Sequence, residues 1–130
     1  MKRIIILSFA LMLVCGAAWA KKEASGSPSI KFNETVWDFG TIKQDRPATH
    51  SFEFVNDGTG NLVILEATAE CGCTKPEWPQ KPIAPGKKGK VTVTFNPLTA
   101  RGSFEKTVVV RTNGTPKKVR LKIRGVIAPN

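Results

Sequence analysis

The sequence has few of the side chains that most catalytic and metal-binding sites require. It contains one histidine, His50, and its two methionines, Met1 and Met12, lie near the N-terminus. A hydrolytic triad would have to use His50, and no Gly-x-Ser-x-Gly element accompanies it. We interpret His50 as an ordinary strand residue. Closed zinc sites take four ligands, so the chain after position 20 offers too few of them. We therefore predict no enzyme activity, no catalytic residue, no cofactor and no metal site.

Long apolar runs are absent after residue 20, and the one at the N-terminus has the features of an export signal. A basic pair precedes the apolar segment 4–14, and Ala18-Trp19-Ala20 fits the site that a leader peptidase reads. We expect cleavage after Ala20, a periplasmic or secreted protein, and no transmembrane span in the mature chain. Cys15 follows Val14, which is larger than the residue that usually precedes a lipidated cysteine. A lipoprotein anchored through Cys15 is therefore the less favoured alternative.

Amphipathic helices are also missing, because prolines and glycines interrupt the rest of the chain at short intervals. Between them lie short runs of β-branched and aromatic residues, which alternate in segments 50–54 and 90–95. The apolar run 62–65 predicts a strand covered on both faces. About seven strands in roughly 100 residues are typical of an all-β, immunoglobulin-like sandwich, with a small barrel as the alternative. The predicted organisation is a signal peptide (1–20), a flexible leader (21–29) and the β-sandwich domain (30–127).

A β-hairpin is predicted near the C-terminus from segments 104–112 and 117–127. Asn113-Gly114 between them supplies the positive φ angles that a two-residue turn needs. This turn would place Val108 opposite Val119, so that apolar residues meet across the strands.

Positive charge is concentrated on the last predicted strand. The chain has 20 basic and 10 acidic residues and a formal net charge of +10. One face of the strand carries Lys118, Arg120, Lys122 and Arg124. A solvated face that discourages pairing at a sheet edge explains this basic stripe without a ligand. Contact with an anionic envelope surface is the functional alternative, whereas export argues against nucleic acid as a partner.

Cys71-Gly72-Cys73 is the sharpest chemical feature of the sequence. Export would place both cysteines in an oxidising environment. They can form a structural pair, a redox couple for thiol exchange, or a pair of thiolates that bind a soft metal ion. Lys75 adds a positive charge nearby, but a thioredoxin-like βαβ pattern is missing. The residues alone leave these three roles open.

Prolines recur at every third position from Pro76 to Pro85, with Trp78 among them. A polyproline II helix has three residues per turn, so all of these prolines would lie on one face and form a recognition surface. The structural alternative is a stiff connection that crosses between the two sheets.

Three segments of the chain carry a family resemblance. They are Thr35–Ile42 with its Asp-Phe-Gly element, Cys71-Gly72-Cys73-Thr74 followed by Pro76, and Ile83-Ala84-Pro85-Gly86 with the strands after it. In this order they resemble a bacterial family of exported proteins, domain of unknown function 1573, which is similar to Hydin-type immunoglobulin-like domains. The resemblance spans residues 30–127. It implies a β-sandwich outside the cytoplasm and no established chemistry.

These observations favour an exported, non-enzymatic β-sandwich that acts as a binding or structural module. Its partner would be an unknown protein or another component of the cell envelope. The alternative is a periplasmic thiol redox or metal-handling protein that uses Cys71 and Cys73.

Overall fold

The computed structural model describes residues 26–129, and these form two four-stranded β-sheets that face each other. The predicted signal peptide, Cys15 and most of the predicted leader lie outside the described residues. Within residues 26–129, no helix has the length and apolar character needed to cross a membrane.

Eight strands build the sandwich. They are β1 (Ile30–Phe32), β2 (Val36–Lys43), β3 (Ala48–Asn56), β4 (Ile64–Ala69), β5 (Thr74–Glu77), β6 (Lys88–Phe95), β7 (Gly102–Thr112) and β8 (Lys118–Ala128). One sheet has the order β1-β3-β6-β5 and the other β2-β8-β7-β4. The pairing of β2 with β8 is parallel, and the other strand pairs are antiparallel. The predicted all-β immunoglobulin-like sandwich is confirmed, with one strand more than expected.

The core lies between the sheets because the strands alternate apolar and polar side chains. The inner faces of β3, β6 and β8 supply much of it. Their fully buried side chains include Phe52, Phe54, Val91, Val93, Phe95, Leu121 and Ile123. Asn56 is among the buried polar side chains, and it donates hydrogen bonds to the carbonyls of Gly60 and Ile83 at 2.7 and 2.8 Å. It also accepts from the backbone N–H groups of Ser29 and Gly58, so the buried amide is fully used.

The C-terminal hairpin forms from β7 and β8, but the predicted register is wrong by two residues. Val108 pairs with Leu121 instead of Val119. The strands close with the bond from Thr112 N–H to the Lys117 carbonyl at 2.8 Å, which leaves a loop of residues 113–116. The side chain of Asn113 accepts from Val63 N–H at 2.8 Å, so contacts with the neighbouring loop define this wider turn.

Two further local predictions are wrong. The run 62–65 is not covered on both faces, because Leu65 lies on the edge strand β4 and is 55% exposed. The proline-rich segment is not one polyproline helix, since Pro76 belongs to β5 and Pro85-Gly86 forms a turn. This segment joins β5 to β6 within one sheet and does not cross between sheets.

Candidate functional site

Three loops lie together at one end of the sandwich. They are residues 44–47 between β2 and β3, 70–73 between β4 and β5, and 96–101 between β6 and β7. The Gln44 side chain donates to the Ala100 carbonyl at 3.1 Å, which links the first loop to the third. Asn96 N–H donates to the Cys73 carbonyl at 2.8 Å, which links the third loop to the second. We call these three loops the cysteine end.

Cys71 and Cys73 are joined by a disulfide bond across Gly72. The chain here crosses from β4, at the edge of one sheet, to β5, at the edge of the other. Both cysteines are half-buried and Gly72 is exposed. Apart from Gly72 itself and the two adjacent cysteines, no residue has an atom within 4 Å of a Cβ atom added to Gly72. The disulfide therefore lies at the surface with open space beside it.

Thr74 is the side chain that contacts both sulfur atoms. Its Oγ1 lies 3.7 Å from Sγ of Cys71 and 3.7 Å from Sγ of Cys73. The residue is only 4% exposed, because it begins β5 with its side chain directed into the sandwich. Lys75, singled out in the sequence, is exposed and follows Thr74 on the strand, so it belongs to the opposite face. Thr74 was not singled out from the sequence, because Thr-Lys-Pro-Glu has no apolar alternation and Pro76 was assigned to the proline-rich segment.

Leu98 is an exposed apolar residue that the sequence analysis missed. Its side chain is 61% exposed, and its backbone has φ = 54°, in the left-handed region that leucine rarely adopts. Pro97 beside it is fully buried. Leu98 N–H donates to the Asn96 side chain at 3.2 Å, and Ala100 N–H donates to the Pro97 carbonyl at 2.8 Å. These contacts fix the backbone that carries Leu98, and no sequence pattern indicated this conformation.

His50 lies between aromatic rings in β3. Its imidazole stacks on the indole of Trp37 with centroids 4.0 Å apart, and the ring of Phe52 is nearly perpendicular to it with centroids 4.8 Å apart. Nε2 of His50 is 2.6 Å from a carboxylate oxygen of Glu34. His50 therefore has a packing and hydrogen-bonding role at the margin of the core. Among residues 26–129, no cluster of three or more histidine, cysteine or acidic side chains is arranged to hold a metal ion.

The basic stripe is exposed on the outer face of β8. Its interpretation as protection of an edge strand is wrong, because β8 lies between β2 and β7. Neighbouring strands also supply acidic side chains. Glu105 lies 3.6 Å from Lys122, and Asp38 lies 3.4 Å from Arg124. The positive charge of the stripe is therefore partly compensated at one end, where Lys122 and Arg124 lie.

Comparison with known proteins agrees with the β-sandwich fold. The profile of the family described as "Protein of unknown function (DUF1573)" matches residues 30–127. The chain belongs to this family. The match includes the three segments that carried the resemblance in the sequence, and the whole cysteine end. No curated protein matches the chain.

Solved structures place this DUF1573 domain among immunoglobulin-like and PapD-like sandwiches. A protein of unknown function from Porphyromonas gingivalis W83 has a TM-score of 0.70 at 17% identity, with 79% of this chain and 48% of that chain covered. The seventh PapD-like domain of human CEP192 has a TM-score of 0.61 at 15% identity, with 80% and 88% covered. The YadV chaperone has a TM-score of 0.55 at 13% identity, with 75% and 51% covered. The chain thus spans about half the length of the P. gingivalis protein. At these identities, the likenesses show the fold alone.

Proposed function

We propose that this DUF1573 protein is an exported, non-enzymatic β-sandwich that binds a polypeptide of the cell envelope through the cysteine end. The observation that carries the proposal is the presentation of Leu98. Leu98 is 61% exposed, and covering its apolar surface with a partner would lower the free energy of the complex. Its left-handed backbone costs roughly 1–3 kcal/mol, and such conformations cluster at ligand clamps and other functional sites.

The sheet edges are poor docking sites, and this favours the loops. β1 has only three residues, and β5 has four and includes Pro76, which lacks a backbone donor. The register of β2 shifts between Asp38 and Thr41, and that of β4 shifts next to Leu65. Short strands, proline and bulges all hinder the addition of another strand. A partner that pairs with an edge therefore fits this domain less well than one that contacts loops.

The cysteine end also indicates the chemistry of the partner. Arg101 is exposed in the same loop as Leu98. An apolar side chain on the partner would cover Leu98, and a nearby carboxylate would pair with Arg101. A polypeptide is the ligand class that we propose, because YadV, a chaperone by name, has the same sandwich fold.

Site-specific crosslinking tests this surface, and Leu65 provides a matched control. Leu65 is a leucine of similar exposure, 55% against 61%, but it lies at the start of β4, whereas the cysteine end follows the last residue of that strand. A photoreactive residue is placed at position 98 or 65 of the full chain in the native bacterium. We expect a discrete polypeptide adduct at position 98 only. Excess wild-type protein should compete for it, whereas Leu98→Asp protein should not. Equal adducts at both positions, or none at position 98, would refute the proposal.

A further inference from the structure

We propose that the Cys71–Cys73 disulfide exchanges with the thiols of a polypeptide bound at the cysteine end, and so acts as a two-electron oxidant. The choice of a polypeptide as reductant rests on the proposed function. The exchange itself does not, because it follows from the position of the disulfide, the bonds that hold its loop, the open space beside it and the group that contacts its sulfurs.

The disulfide contributes little to the stability of the fold. It joins residues two apart in one loop, and so connects neither two strands nor the two sheets. The stabilisation that a disulfide gives by constraining the unfolded chain grows with the length of the loop that it closes. A bond that closes so short a loop adds little to the stability of the fold. By linkage, the fold in turn does little to oppose its reduction.

Hydrogen bonds hold the loop independently of the sulfur–sulfur bond. Thr74 N–H donates to the Cys71 carbonyl at 3.3 Å, and Asn96 N–H donates to the Cys73 carbonyl at 2.8 Å. Before the cysteines, the Glu70 carboxylate accepts from Thr107 N–H at 2.9 Å. None of these bonds uses a sulfur atom, so we expect them to persist when the disulfide is reduced and to keep Cys71 and Cys73 close together. Re-formation of the bond then requires little reordering of the chain.

The surroundings suit attack by a thiolate and departure of another. Exchange requires access of the attacking sulfur to the disulfide, and the space beside Gly72 is open. The Thr74 hydroxyl lies 3.7 Å from each sulfur and can donate to whichever one leaves as a thiolate. A hydrogen bond to a charged acceptor is stronger than one to a neutral acceptor, so this contact favours the thiolate.

The reaction is balanced with a dithiol as the reductant. A thiolate of the polypeptide attacks one sulfur of the Cys71–Cys73 bond, which breaks, and the electron pair leaves on the other cysteine as a thiolate. The second thiol of the polypeptide loses its proton and attacks the polypeptide's own sulfur in the mixed disulfide; this bond breaks, and the electron pair leaves on the protein's cysteine, where both thiolates then take up a proton. The polypeptide departs with a disulfide, and Cys71 and Cys73 become thiols. Two electrons and two protons pass from the polypeptide to the protein.

A glutathione titration of the purified protein tests the exchange alone. The protein is equilibrated at a series of reduced-to-oxidised glutathione ratios, quenched in acid and alkylated, and its thiols are counted by mass spectrometry. At Cys71 and Cys73, we expect a reversible change from no free thiol to two within the series. In the Cys71→Ser/Cys73→Ser protein, the segment that contains positions 71 and 73 should take up no alkylating group. A wild-type protein that stays oxidised in reduced glutathione alone, or that cannot be reoxidised, would overturn the inference.

A second measurement separates this inference from the proposed function. The reductant is a synthetic peptide with two cysteines, a leucine and an aspartate. We expect its thiols to disappear as those of the protein appear, in equal number. Leu98→Ala should slow exchange with the peptide but leave the glutathione equilibrium unchanged. If Leu98→Ala has no effect on the peptide, the docking surface is refuted while the exchange stands. Thr74→Val should slow several-fold both the exchange with the peptide and the approach to equilibrium with glutathione, followed by quenching at successive times, and unchanged rates would refute the role of the hydroxyl.

Discussion

The ring of Trp37 stacks on the ring of His50 with centroids 4.0 Å apart and planes 4° from parallel, although the two residues belong to different sheets. Trp37 lies on β2 and His50 on β3. The stack therefore joins the two sheets at the margin of the sandwich. The backbone hydrogen bonds of the sheets run within each sheet and do not make this connection. Glu34 holds the imidazole from the loop that precedes β2.

We expect Trp37→Ala to destabilise the protein by about 2 kcal/mol, since it removes the stack and part of the buried indole surface. Val36 is the matched control, because it is adjacent and similarly exposed, 42% against 37%, but lies on the outer face. Val36→Ala should cost less than about 1 kcal/mol. Urea unfolding of the two variants measures the difference. Equal losses would mean that the stack does not join the sheets.

Substitution of Asn56 should destabilise the fold more than most other substitutions at the end of the sandwich that lies opposite the cysteine end. Its buried amide donates to two carbonyls and accepts from two backbone N–H groups. Removal of such a side chain leaves several buried groups without partners, so Asn56→Ala should cost about 2–4 kcal/mol. Asn61→Ala is the control, because Asn61 is exposed and uses its carbonyl rather than its side chain. A loss at Asn56 no larger than at Asn61 would contradict this account.

The sequence predicted the sandwich because alternation is a local property. The inward positions of β3, β6 and β8 follow from apolar residues at every second position, and tertiary contacts do not change that pattern. The register of the C-terminal hairpin was not local. Asn113-Gly114 favoured a two-residue turn, but Asn113 also accepts a hydrogen bond from Val63 N–H in a different loop, a contact that no local pattern shows.

The candidate site was predictable only in part. The Cys-Gly-Cys element is visible in the sequence, whereas the short strand that directs Thr74 inward is not, because Thr-Lys-Pro-Glu has no apolar alternation. Leu98 was not visible, because its exposure depends on the burial of Pro97 and on the bond between Asn96 and Cys73, a residue of another loop. The ion pairs of the basic stripe likewise depend on which strands flank β8.

The ion pairs divide the basic stripe into two halves that can be compared. Lys122 and Arg124 lie beside Glu105 and Asp38, so an anionic surface must compete with those carboxylates for them. If the stripe contacts anionic vesicles, Lys118→Gln/Arg120→Gln should remove more of the binding than Lys122→Gln/Arg124→Gln. Vesicle sedimentation at increasing salt measures this, because exposed charges are screened beyond about 8 Å at physiological ionic strength. Equal effects of the two double substitutions, or binding that salt does not weaken, would contradict a contact made through Lys118 and Arg120.

The two cysteines should contribute little to stability. For a loop of three residues, the loop-entropy relation gives about 1.6 kcal/mol, against about 3 kcal/mol for a loop of 15 residues. Both cysteines are half-buried, so serine in their place leaves little empty space or unpaired polar surface. We therefore expect Cys71→Ser/Cys73→Ser to fold and to lose about 1–2 kcal/mol in urea unfolding. Reduction of the wild-type protein should cost a similar amount, because hydrogen bonds to the carbonyls of Cys71 and Cys73 hold the loop in either state. A loss above about 4 kcal/mol, or failure to fold after reduction, would instead make the disulfide a structural bond, since the chain would then depend on it to pass from β4 to β5.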